Sequence, residues 1–148
     1  MKKVYCIRQY PKSILSVVLM AIFLHYGCVP SVSLFSETAY QQAIELKVQS
    51  IKTMDLATNP FENHKDNVEA LQFDLQKAYE FAKGRPNNEH TTRQWSIIID
   101  PEENMISGFL ARWEQAGTLS KSFIFEAKET ISEGFDTVIG LESGKIKP

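Results

Sequence analysis

The sequence predicts an all-α protein, an antiparallel four-helix bundle that follows an N-terminal signal segment. Three observations carry this prediction. Apolar residues recur at steps of three and four over most of residues 37–144, which places them along one side of a 3.6-residue helix. Stop signals fall between those runs at Asn59-Pro60, at Gly84 with Pro86, at Asp100-Pro101 and at Gly117. The β-branched stretch Ser96-Ile97-Ile98-Ile99 has no second strand to pair with, and a lone strand cannot satisfy its own backbone.

The first element is not part of the bundle. Lys2, Lys3, Arg8 and Lys12 form a positive start without an acidic residue, and Ile14 to Leu24 is an eleven-residue stretch that is apolar but for Ser16. A bilayer-spanning helix needs about 20 apolar residues. The run therefore reads as the central region of a signal peptide rather than as a retained anchor or a core helix. It leads into Leu24-His25-Tyr26-Gly27-Cys28, which resembles the lipobox of bacterial lipoproteins, where a cysteine after a small residue receives diacylglycerol and the chain is cut before it. In the family an aliphatic residue stands three before the cysteine and a small one two before; here His25 and Tyr26 hold those places. The resemblance implies a lipid thioether on Cys28 and a membrane partner for the chain. Ordinary cleavage after Ser33 is the alternative, and it would yield a secreted soluble domain.

Cysteine count agrees with the lipid reading. The chain has two cysteines, and Cys6 lies in the segment that would be removed, so no disulfide could form in the exported part. A thioether would protect the remaining thiol in an oxidising compartment. The resulting boundaries are a lipoprotein-type signal peptide over 1–27, a tether over 28–36, the helical bundle domain over 37–144 and a tail over 145–148. The expected location is the bacterial cell envelope, lipid-anchored and facing the periplasm.

Within the domain, Ser36 or Thr38 caps a first helix whose seam is Tyr40, Ala43, Ile44, Val48, Ile51 and Met54, and Asn59-Pro60 ends it. A second helix from about Glu62 to Lys83 carries Val68, Leu71, Leu75, Ala78, Tyr79 and Ala82, stopped by Gly84 and Pro86. The polar stretch KGRPNNEHT reads as the longest exposed loop. A third helical region starts near Thr91 with Trp95, Ile98 and Ile99 and is interrupted at Asp100-Pro101, where Asp as N-cap and Pro in the first turn predict a restart. Met105, Ile106, Phe109, Leu110 and Trp113 follow on one face. Ser120 caps the last helix, whose seam is Phe123, Ala127, Ile131, Gly134, Val138 and Leu141. Gly108 and Gly134 fall inside predicted helices, where glycine costs about 1 kcal/mol relative to alanine, which points to close helix contact.

The segment from Asp100 to Lys147, through the DPE turn, GFLARW, GFD and LESGKIK, resembles the C-terminal part of small exported bacterial helical proteins of uncharacterised function. The resemblance implies no activity.

Charge and motifs narrow the function. The chain has 16 basic and 18 acidic residues; without residues 1–27 it has 12 against 18, a formal charge of −6. Such a domain offers a phosphate backbone neither counterion release nor attraction, so no nucleic-acid partner is expected. No HExxH, CxxC, GxSxG or Gly-rich phosphate loop is present, and neither His64 nor His90 has a Glu three before it. His64 beside Glu62 and Asp66 reads as a solvated first turn rather than a metal site. No catalytic residue, metal or cofactor is expected. Glu126, Glu129, Glu133 and Asp136 recur at three and four on the last helix and predict an exposed acidic face for a partner protein. The off-seam aromatics Phe73, Phe81 and Phe125 add to it. The function class expected is a tethered, non-enzymatic module acting through protein contacts. An inhibitor or immunity-type protein that covers a basic active site, and a binder of a small apolar ligand or lipid, are the alternatives.

Overall fold

A computed structural model describes residues 33–145, which form five α-helices and no strand. Cys28 and the rest of the signal segment lie outside the described residues. The helices are α1 (Glu37–Asp55), α2 (Lys65–Lys83), α3 (Glu89–Ile98), α4 (Ile106–Ala116) and α5 (Lys121–Ser143). α1 packs on α2 and α5, and α3 packs on the same two helices.

α1 starts where Ser36, extended at its own backbone, accepts a hydrogen bond from the Ala39 N–H at 3.2 Å. Its buried row is Ala39, Ala43, Leu46, Ser50, Thr53 and Met54. This differs from the expected seam, and Val48 is 48% exposed. Expectation followed the largest apolar side chains. The helix is held between two neighbours, α2 and α5, which bury Ala43 and Met54 of the expected seam together with Leu46 and the smaller Ala39, Ser50 and Thr53.

The second helix begins at Lys65 and not near Glu62, because Pro60 to His64 form a short 3₁₀ turn over Phe61–Asn63. That turn buries Phe61, whose N–H donates to the Gly117 carbonyl at 2.9 Å. The Leu119 N–H donates to the Ala57 carbonyl at 2.8 Å, so two hydrogen bonds tie the α1–α2 connection to the α4–α5 connection. Along α2 the buried residues are Val68, Leu71, Leu75, Ala78 and Ala82, as the periodicity predicts, with Tyr79 at the edge.

The stretch KGRPNNEHT is not the long loop it reads as. α3 begins at Glu89, and Asn88 is buried, because its amide donates to the Ala82 carbonyl at 2.7 Å and so satisfies the end of α2. Asn87 makes the reversal at φ 54°, a left-handed conformation that asparagine tolerates. Ile97 and Ile98 are helical, and the SIII stretch belongs to the end of α3 and its cap at Ile99.

The interruption at Asp100-Pro101 is wider than expected. Asp100 caps a turn and not a helix, its Oδ1 accepting from the Glu102 N–H at 2.9 Å, and α4 starts only at Ile106 after an extended Met105. The two glycines explain this geometry. A Cβ on Gly108 would stand 1.9 Å from the Glu103 carbonyl oxygen, and one on Gly134 would stand 2.9 Å from the Met105 sulfur. The 101–105 turn thus rests on bare backbone of both α4 and α5. Gly108→Ala is expected to cost about 3 kcal/mol, since a backbone carbonyl must move. Gly134→Ala should stay within about 1 kcal/mol of wild type, because the thioether yields and alanine favours helix. Urea midpoints of the two variants check the contrast; equal midpoints would contradict it.

α5 is capped by Ser120, whose hydroxyl accepts from the Phe123 N–H at 3.3 Å. Its buried residues are Ile124, Ile131, Gly134, Phe135, Val138 and Glu142, so the expected places of Phe123 and Leu141 pass to the residues that follow them. Phe123 instead stacks on Phe109 at the edge, 5.9 Å between centroids. Glu142 enters the interior because two cations meet it there.

Candidate functional site

The four predicted acidic residues, Glu126, Glu129, Glu133 and Asp136, all lie exposed on α5. The structure does not leave them as one free acidic face. Asp136 is engaged by the Lys47 ammonium of α1 at 2.6 Å. Glu126 borders a groove floored by Gly108, Phe109 and Phe123 beside the Arg112 side chain. Glu129 borders a different groove between α1 and α5, with Val48, Ile51, Phe125 and the stems of Lys47, Lys52 and Lys128.

That second groove is lined largely by apolar side-chain surface. Phe125 is 76% exposed, and Val48 faces it across the helix pair. Two of the bordering lysines are fixed: Lys47 by Asp136, and Lys128 by Asp55 at the end of α1. Their methylene stems extend the apolar floor while their ammonium ends stay wet, the usual behaviour of long cationic side chains. The groove continues past Val48 toward Ile44, Leu56 and Ala70 on the α2 side. Sequence reasoning singled out Phe125 but assigned Val48 to the core; Ile51, also assigned there, is half-buried against the core and reaches the groove at its edge.

Phe73 and Phe81 do not join this groove. They stand two turns apart on α2, with Lys77 5.4 Å from the Phe73 centroid and Arg85 5.9 Å from that of Phe81.

A second constellation went unread in the sequence. The Glu142 side chain is 1% exposed and accepts from Arg85 at 2.9 Å and from the Lys145 ammonium, which also donates to the Asn88 side-chain oxygen at 2.5 Å. Burial pushes the Lys145 ammonium below its usual 10.5, against the hydrogen bond and charge of Glu142, with Arg85 adding to the depression. Arg85 further donates to the Leu34 carbonyl, and the Ser33 N–H donates to the Asn87 carbonyl at 2.8 Å. The cluster thereby fastens the entry of the chain, the α2–α3 loop and the end of α5 to one another. Every charged member has a partner, so the cluster is built as a clamp. The spacing of Glu142 and Lys145 at a helix end was its one visible sign.

His64 lies 5.8 Å from the Trp113 ring centroid. Among the described residues no group of three or more His, Cys, Asp or Glu side chains could hold a metal, and no helix is long and apolar enough to cross a membrane. No family model matches the chain, and no curated protein or solved structure shows significant similarity to it.

Proposed function

We propose that this chain is an exported helical module, held to a bacterial envelope membrane by lipid on Cys28, that acts without catalysis by gripping another protein. The observation that carries the reading is the groove between α1 and α5, where Phe125, largely exposed, stands over Val48 and Ile51. The fold gains nothing from keeping such a ring in water, whereas a partner's side chain could bury it. Glu129, Lys52 and the paired Lys47 and Lys128 around the rim give the contact polarity and register. The exported part carries a formal charge of −6, which favours a protein partner over a nucleic acid. In this reading α1, α2, the interrupted pair α3–α4, and α5 are the four rods of an antiparallel bundle. Shared hydrogen bonds at the two groups of connections support that arrangement.

A photo-cross-linking residue placed at position 125 in cells should trap a discrete adduct, and one at buried Leu71 should not. Phe125→Glu should abolish the adduct formed from position 48 while leaving the helical circular dichroism unchanged. No adduct from either groove position, in a folded protein, removes the proposal. The tether has its own test: Cys28→Ser should shift the chain from the membrane fraction to the soluble one or leave an uncut precursor. Unchanged fractionation and size would exclude lipid attachment.

A further inference from the structure

We infer that the end of the domain carrying Leu34, Phe81 and Arg85 is a membrane-contact tip that rests on the phospholipid surface; the inference depends on the tether proposed above. Leu34 is 54% exposed and Phe81 40% exposed, and both surround the Arg85 guanidinium, which donates to the Leu34 carbonyl and lies 5.9 Å from the Phe81 ring centroid. Pro86 is exposed beside them. An aliphatic side chain and an aromatic ring exposed at one end of the domain suit the headgroup boundary, where apolar side chains enter the acyl region; Arg85, itself largely enclosed and paired with Glu142, fixes the backbone beneath them.

The choice of this end over the other follows from where the chain enters. Cys28 precedes Ser33 by five residues, a span of at most about 18 Å even fully extended. Ser33 does not swing freely, because its N–H is bonded to Asn87 and the next carbonyl to Arg85. A membrane attachment at Cys28 therefore keeps Ser33, and with it this end of the domain, within about 18 Å of the attachment point. Phe125 lies 17 residues before Glu142 on α5, about 26 Å along the helix axis from the clamp.

Glu142, the acidic residue nearest the tip's arginine, is buried and neutralised by Arg85 and Lys145, so it sets up no repulsion toward anionic headgroups. Glu126 and Glu129, exposed toward the start of α5, are carried away from the surface. The tether makes lipid contact by the tip effectively intramolecular, so a weak interfacial affinity is enough to hold the orientation. The groove at Phe125 is then presented outward to its partner.

The test uses the full chain, expressed with its N-terminal segment and reconstituted in phosphatidylethanolamine–phosphatidylglycerol vesicles with brominated acyl chains. Trp95 and Trp113 are buried and give a constant background. Phe81→Trp should show at least twofold more bromine quenching than wild type, whereas Phe125→Trp should show no excess. Leu34→Trp is the companion variant should Phe81→Trp fail to fold. Co-sedimentation with vesicles but no excess quenching at 81 or 34, or equal quenching at 81 and 125, overturns the tip while sparing the tether. Failure of the wild type to co-sediment overturns the tether and the tip with it.

Discussion

Trp113→Ala is expected to lower stability by about 4 kcal/mol, since truncating a buried tryptophan removes its transfer free energy and leaves a cavity. Trp113 is fully buried, and three further contacts make its site hard to collapse. Its indole N–H donates to the Asn59 carbonyl at 3.1 Å, the Phe61 ring meets it edge-on at 5.5 Å, and His64 lies 5.8 Å away. All three partners belong to the α1–α2 connection, so the loss would unfasten α4 from that connection rather than thin the core evenly. Trp113→Phe should retain most of the packing and cost about 1 kcal/mol through the orphaned Asn59 carbonyl. Urea unfolding followed by circular dichroism gives both values. A loss below about 1.5 kcal/mol for the alanine variant would mean that the site collapses, contrary to the packing described.

Glu142→Ala should cost a similar amount, about 3–5 kcal/mol, because removing one partner of a buried ion pair strands the others. Lys145 and Arg85 would lose their carboxylate while remaining largely enclosed. The triple change Arg85→Met, Glu142→Leu, Lys145→Met should return most of that loss, since well-packed apolar groups replace the whole buried ionic cluster at little net cost. If the triple variant were as unstable as Glu142→Ala, the clamp would owe its strength to shape and not to charge. Lys145 also gives the clamp a pH dependence of defined sign. Its native value lies below the usual 10.5, so between the two the unfolded chain holds a proton that the native chain has released. Stability therefore gains from this group as pH rises through that interval, and below it the cost of the buried ammonium is constant. Thermal unfolding of wild type against Lys145→Met at increasing alkaline pH should show the difference moving in favour of wild type.

α2 was the most legible element in the sequence: five of its apolar residues recur with one unambiguous period, and those five are buried. The caps at Ser36 and Ser120 were equally readable, because a hydroxyl before a periodic run has one local use. α1 misled because apolar residues lie on more than one side of it, and local periodicity gives no reason to bury Leu46, Ser50 and Thr53 in place of Ile44 and Val48. The acidic residues of α5 could be placed on its exposed side, but not divided between two grooves. That division depends on Lys47, 89 residues from Asp136, and on how α1 lies against α5.

The sequence by itself determined that the described chain is helical, roughly where its helices stop, and that Gly108 and Gly134 needed a reason. Those properties follow from side-chain periodicity, proline and glycine, which act within a few residues. Only the tertiary structure decided that Asp100 caps a turn, that Asn88 is buried, and that Glu142 sits inside with Arg85 and Lys145 around it. A buried charge is tolerable only when partners distant in the chain arrive beside it, and the Arg85–Glu142 pair spans 57 residues.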